Sequence, residues 1–267
     1  MGGLDITVPG EGEIKNHPTF KKGSKKMKIL DHLISSLDLN AAVQDLCQGV
    51  FHTAVLTRNC GLAATLPRDA LRQNPPLVKD PGILLDKTAK ELVHMAYSES
   101  ILEAAIGLAA INSLLEIDEE SCKELNAADL ILEKGTGMNI AVVGHFPFLS
   151  RVREKAKELW VIEKNPREGD FKESQADHFI PLADVVAITG TALTNHTIEN
   201  LLALCRPDAF VVLLGDTAPL SPVFFEYGVN AVSGTKVVHQ ELVFKCVAQG
   251  ANFRQIRGTR RLTLFKH

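Results

Sequence analysis

The hydrophobic positions along this chain change their period twice. From Lys28 to Leu37 they recur as Ile29, Leu30, Leu33, Ile34 and Leu37, the stripe of an amphipathic helix. Val43, Leu46, Val50, Ala54 and Leu56 then lie among polar residues, and the turn Asn59-Cys60-Gly61 leads into Leu62-Ala63-Ala64-Thr65-Leu66. That pattern predicts a β-hairpin or meander, ended by Pro67 and the Asn74-Pro75-Pro76 cluster. A short helix is expected over Thr88–Met95 and a longer one over Ser98–Leu115. The longer one is apolar on nearly every side, through Ile101, Ala104, Ala105, Leu108, Ala109, Ile111 and Leu114, so it belongs between layers. Gly107 in its middle costs about 1 kcal/mol of helix propensity, which a closely packed neighbour would explain.

Beyond residue 139 the chain alternates in the α/β manner. Strand Ile140–Gly144 precedes a helix from about Pro147 to Lys157, and strand Leu159–Ile162 precedes the polar segment Asn165–Asp177. Strand Val185–Thr189, a helix from about His196 to Cys205, strand Ala209–Leu214, a short helix Pro222–Tyr227 and a strand-helix tail complete it. Continuous apolar strands between amphipathic helices imply a parallel sheet covered on both faces, an α/β fold. Residues 1–26, rich in Gly, Pro and Lys and without periodicity, read as a loose flexible leader.

Bulk composition narrows the function classes. The 267 residues are 45% apolar and 23% charged, ordinary for a globular chain, and the net charge of −3 gives no electrostatic case for nucleic acid. The basic clusters Lys21–Lys28 and Arg254–Arg261 read as solvated termini. Five scattered cysteines form no C-x-x-C, and Cys205 and Cys246 read as reduced core residues. The N-terminus lacks an apolar signal segment and no apolar run reaches the ~18 residues of a membrane span, so a cytoplasmic protein without membrane partners is expected.

In an open parallel sheet, ligands bind beyond the carboxyl ends of the strands. Here those ends read Gly144-His145-Phe146-Pro147, Glu163-Lys164-Asn165, Thr189-Gly190-Thr191 and Gly215-Asp216-Thr217. A strand running into Gly144 opens like a dinucleotide site, yet Phe146 and Leu149 stand where the second and third glycines of G-x-G-x-x-G would be. Glu163 follows Gly144 at the distance of the acid that takes ribose hydroxyls in such folds. Gly144 with Pro147 in the first helical turn predicts a helix start open to an anion. Phe146 and Phe148 suit a flat ring or a core cap, and His145 is a candidate general base. Thr194 or Asn195 is expected to cap the following helix, and Ser221-Pro222 forms an N-cap and N1 pair. No G-x-S-x-G elbow, H-E-x-x-H or Walker A pattern is present, so no residue is assigned to a metal.

Taken in order, SESILEAAIGLAAINSLL (Ser98–Leu115), MNIAVVGHFPF, TGTALTNHT and GDTAPLSPVFFEYGVNAVSG resemble the putative heavy-metal chelation family over about residues 30–255. The resemblance implies an N-terminal α+β domain similar to the enolase N-terminal fold over 27–118, then a Rossmann-like parallel-sheet domain over 119–267, with a ligand site in the cleft between them. The matching positions on this chain are Asn112, Gly144, Phe146, Pro147, Glu163 and Thr189, followed by Gly190, Asn195, Thr197, Gly215 and Ser221. The chain departs from the pattern at Asp216-Thr217-Ala218, where a plainer Gly-Pro-Ser/Thr turn is expected.

These observations support two readings. One is an enzyme of heavy-metal chelator metabolism that binds a nucleotide-like or anionic small molecule, with Glu163 on hydroxyls and His145 moving protons. The other is a non-catalytic module that carries a metal or a metal–chelate complex. NAD chemistry is disfavoured by the missing second glycine, which normally lets the backbone approach the pyrophosphate. The identity of any cofactor stays unknown, and a homo-oligomer stays open.

Overall fold

The computed structural model describes residues 27–73 and 77–266. The leader read over residues 1–26 and the Asn74-Pro75-Pro76 cluster lie outside the described residues.

The chain opens with helix α1 (Lys28–Ser35), whose Ile29, Leu30, Leu33 and Ile34 are buried as their spacing requires. Strands β1 (Asp45–Gln48), β2 (His52–Leu56) and β3 (Cys60–Ala64) form the expected antiparallel meander, a sheet of their own. Pro67 starts the single turn α2 (Pro67–Ala70). Helix α3 (Ala89–His94) is held by a capping box between Thr88 and Glu91. Helix α4 (Ile101–Leu114) follows, with Ser100 accepting from the Glu103 N–H.

Helix α4 lies on β2 and β3 with one side and meets α3 and α8 (Thr191–Thr194) with others, so Ile106, Leu108 and Ile111 are fully buried. Each such side chain contributes about 1.5–3 kcal/mol by leaving water. A Cβ on Gly107 would stand 2.0 Å from the Ala96 backbone nitrogen. Close approach, not helix propensity, selects this glycine.

The larger sheet has eight strands. Its parallel part comprises β5 (Asn139–Val143), β6 (Glu158–Glu163), β7 (Phe171–Lys172), β8 (Val185–Thr189), β9 (Phe210–Leu214) and β10 (Ala231–Val237). Strands β11 (Thr259–Phe265) and β4 (Cys122–Lys123) extend it antiparallel beyond β10. Across the sheet the order is β4-β11-β10-β9-β8-β5-β6-β7. Counted from β5, the parallel strands run 3-2-1-4-5-6, the order of doubly wound nucleotide-binding sheets. Helices α5 (Ala127–Gly135) and α6 (Leu149–Arg153) share one core with one face of the sheet. Helices α7 (Ala176–Phe179) and α9 (Ile198–Leu204) share the other face with α4. The α/β reading therefore holds, as a parallel-rich sheet beside a separate three-stranded one.

Several expectations are corrected. Helix α6 starts at Leu149 and spans five residues, short of the helix expected from Pro147 to Lys157. Helix α9 starts at Ile198, and its N-cap is Thr197 without a side-chain cap bond, so neither Thr194 nor Asn195 caps it. Residues 222–227 form a 3-10 helix, for which Ser221 does supply the predicted cap by accepting from the Val223 N–H. Helix α5, strand β4 and strand β11 were not anticipated. Helix α10 (Gln240–Ala248) packs its Val243 and Val247 against Ala54 and Leu62, so the last part of the chain completes the core of the first sheet. Among the described residues no helix is long and apolar enough to cross a membrane.

Candidate functional site

The doubly wound order leaves a crevice where β5 and β8, neighbours in the sheet, send their chains away in opposite directions. A cavity of about 360 Å³ lies there, lined by Gly144 and His145 after β5, Glu163 to Asn165 after β6, and Thr189 and Thr191 after β8. Leu66 to Asp69 close it from the side of the first sheet. Leu66 holds φ +53°, a left-handed conformation that costs a non-glycine residue about 1–3 kcal/mol and clusters at ligand sites. The cavity continues into a wider one of about 680 Å³ between the sheets, reaching Phe51, His52, Gly215 and Arg254.

Gly144 takes φ +108°, and a Cβ there would press on the Phe146 ring and on Thr189. Its N–H donates to the Ile162 carbonyl at 3.0 Å, and the His145 N–H donates to Glu163 Oε1 at 2.7 Å. The His145 amide of the turn therefore already has an anion, and it is Glu163. With the helix delayed to Leu149, the predicted anion-binding helix start at Gly144–Pro147 is absent among the described residues. Glu163 Oε2 has no protein partner among them, which leaves one carboxylate oxygen free beside the cavity. Phe146 and Phe148 stack on each other with centroids 5.1 Å apart, while Pro147 faces the wider cavity.

His145 has a partner that its sequence neighbours do not suggest. Its Nδ1 lies 3.1 Å from Asp170 Oδ2, which also accepts the Arg167 N–H at 3.0 Å. The Asp170 side chain is 3% exposed and that of His145 27%. A carboxylate only accepts, so Nδ1 donates, and in the neutral ring the lone pair then lies on Nε2. This is the arrangement that orients a histidine as a base or as a ligand. Asp170 was missed because it sits in the polar segment after β6, where no periodicity or motif marks it.

The hydroxyl and amide residues divide. Thr189 and Thr191 line the cavity with their hydroxyls 3.0 Å apart. Asn195 Oδ1 accepts from the Thr197 hydroxyl at 2.6 Å and from its N–H at 3.2 Å, and both residues line the same cavity. Gly190 and Gly215 border the wider one. Asn112 and Ser221 lie elsewhere. Asn112 Nδ2 donates to the Leu62 and Thr217 carbonyls at 2.8 and 3.4 Å, tying β3 to the loop after β9, and Ser221 is buried in its cap.

That loop carries a buried polar cluster. Asp216, with its side chain 3% exposed, faces His52 Nε2 from β2 at 3.1 Å and accepts from Thr235 of β10 and Arg261 of β11. Burial pushes its carboxyl up, but the hydrogen bond to His52, the Arg261 charge and the Thr235 hydroxyl together hold it below the usual carboxylate range. Thr217 Oγ1 accepts the Ala64 N–H at 2.9 Å. The departure at Asp216-Thr217 is thus the fastening between the two sheets.

Comparison with known proteins places this architecture. A family model described as putative heavy-metal chelation matches residues 126–266, and a second model with the same description matches residues 30–115. The chain belongs to this heavy-metal chelation family. A solved protein of unknown function from the DUF364 family of Desulfitobacterium hafniense superposes with TM-score 0.76 at 26% identity, over 89% of this chain and 98% of that one. One from Pyrococcus horikoshii gives 0.77 at 22% identity, over 89% and 100%. An uncharacterized protein of Methanocaldococcus jannaschii is 29% identical over 163 residues, 58% of this chain and 62% of that protein.

The family's description raises the question of a metal. Among the described residues no group of three or more His, Cys, Asp or Glu side chains converges as a metal site. The thiols of Cys47 and Cys122 are pushed up by burial, Cys205 to about 11 and Cys60 to about 12, which disfavours the thiolate that a soft metal needs. No cysteine lines the cavities at the strand ends. The residues present do not fit a metal held by this chain's described side chains alone.

Proposed function

We propose that this member of the heavy-metal chelation family binds a small anionic molecule with hydroxyl groups, nucleotide-like in size, and moves a proton at His145 Nε2. The carrying observation is the Asp170-backed His145 in the crevice between the β5 and β8 ends. Arg68, Lys164 and Arg167 supply positive charge for the anionic group. Thr189, Thr191 and the free Glu163 oxygen offer partners for hydroxyls. His145, with its proton fixed on the Asp170 side, accepts a proton from a ligand at Nε2. The family's description makes a metal chelator or its precursor the natural class, since chelators are polyanionic.

A second reading follows from the same histidine. A carboxylate-backed imidazole is also how proteins present a metal ligand. In that reading a metal–chelate complex binds as cargo, with the chelate's carboxylates on the basic residues and His145 Nε2 at an open coordination position.

A thermal-shift screen separates the readings. Wild-type protein, Glu163→Ala and His145→Ala would be heated with nucleotides, S-adenosylmethionine, aminocarboxylate chelators and the nickel or zinc forms of those chelators. The first reading expects an organic anion to stabilise the wild type, by about 2.7 kcal/mol at a hundredfold excess over Kd, with the gain reduced in Glu163→Ala. Stabilisation by the metal-loaded chelator only, lost in His145→Ala, would select the second. If nothing stabilises the wild type, or Glu163→Ala responds as the wild type does, the first reading fails.

A further inference from the structure

The Phe146–Phe148 stack stands between the narrow His145 crevice and a third cavity, of about 260 Å³, on the α5 and α6 side of the sheet, and Phe253 and Arg254 border both this cavity and the wider one. Its walls are of a different kind. Phe146, Phe148, Leu214 and Leu262 make it apolar, and Phe253, from the loop after α10, borders its mouth. Three arginines and no acidic residue line it.

The three arginines are not equivalent. Arg151 is paired with Asp129 at 2.9 Å, and Arg261 is bound to buried Asp216. Arg254 makes no side-chain hydrogen bond or ion pair among the described residues, its backbone N–H alone donating to Asn252 Oδ1. A free guanidinium beside an apolar cavity is a receptor for a carboxylate or phosphate attached to an apolar body.

Phe253 is exposed to 43%, yet it is not loose. The Arg261 guanidinium lies 4.2 Å from its ring centroid, and Arg261 is itself fixed by Asp216 and Thr235. Asp216 sets Arg261, and Arg261 sets Phe253. One face of the ring is spent on the cation, and part of the remainder borders the cavity. A flat aromatic surface held in place before binding lowers the ordering cost of stacking a ligand ring.

We infer that this cavity is a second ligand subsite, for a planar aromatic ring bearing one anionic group. The ring stacks on Phe253 and fills the apolar cavity, and the anion meets Arg254. The subsite needs neither His145 nor Glu163, so it stands or falls apart from the function proposed above.

Isothermal titration of the full chain with 2-naphthoate and its neutral isostere 2-naphthamide tests it. Naphthoate is expected to bind roughly tenfold tighter than the amide, the effect of one charge-assisted contact. Arg254→Gln should erase that preference while leaving amide binding in place, and Phe253→Ser should weaken both compounds. Both residues are exposed, so the variants keep the fold. Glu163→Ala should bind naphthoate as the wild type does. Equal binding of the two compounds, no binding of either, an unchanged preference in Arg254→Gln, or loss of naphthoate binding in Glu163→Ala would overturn the inference.

Discussion

Two histidine–aspartate pairs with the same 3.1 Å contact stand on opposite walls of the cleft, and their surroundings differ. His145 pairs with Asp170 on the wall built from the β5 and β6 ends, and its side chain keeps 27% exposure. His52 pairs with Asp216 on the wall shared by β2 and β9, and its side chain keeps 5%. His52 Nδ1 is buried without a partner among the described residues, although the ring borders the wider cavity. Asp216 also holds Arg261 and Thr235, whereas Asp170 otherwise holds the Arg167 N–H. Contact distance therefore does not distinguish the two pairs. Exposure of the ring, and the number of groups that depend on the carboxylate, do.

The comparison breaks most readily at Asp216. Asp216→Ala strands a guanidinium and an imidazole at the seam between the sheets, and should cost about 3–5 kcal/mol, read as a fall in the urea midpoint. A loss under about 1 kcal/mol would remove the distinction between the pairs. The pH dependence sharpens it. Asp216 is held below its unfolded value of about 3.9, so its stabilising contribution is present above that pH and is lost as the pH falls through the folded value. The stability gap between wild type and Asp216→Asn should therefore narrow as the pH falls below about 4, as measured by denaturant titration at each pH.

Asp170→Asn should cost less, about 1 kcal/mol for one perturbed buried hydrogen bond, while releasing the proton position of His145. Nuclear magnetic resonance of the His145 ring would show a changed tautomer balance, and an unchanged spectrum would remove Asp170 from the positioning role. The smallest stability effect belongs to His145→Gln, within about 0.5 kcal/mol of wild type because the ring is partly solvated. A stability loss as large as that of Asp216→Ala would merge the two pairs into one class.

Local pattern made most of the architecture legible. The helical stripe at Ile29 to Ile34, the meander ended by Pro67 and the apolar runs at 140–143, 185–189 and 210–214 each carry their own period, and each is found where it was expected. Strand β11 was not legible, because Arg260, Arg261 and Thr263 interrupt its apolar pattern. Those residues answer to Glu119, Asp216 and Ser233, which are distant in sequence. The helix after Gly144 was overestimated at both ends: α6 covers Leu149–Arg153, and Phe146 and Phe148 stack on each other before it begins.

The sequence by itself determined the alternation of strands and helices, the place of the strand ends and hence the stretch of surface where a ligand site is proposed. It also marked Gly144, Glu163 and Thr189, because a residue's position after a strand is a property of the chain. Tertiary structure alone decided what those residues do. It turned Glu163 into the anion of the Gly144 turn, brought Asp170 under His145 and made Asp216 a buried fastening that steadies an aromatic surface through Arg261. The physical reason is that periodicity records which face of an element is buried, whereas hydrogen bonding and charge depend on which distant groups the folded chain brings within about 3 Å of each other.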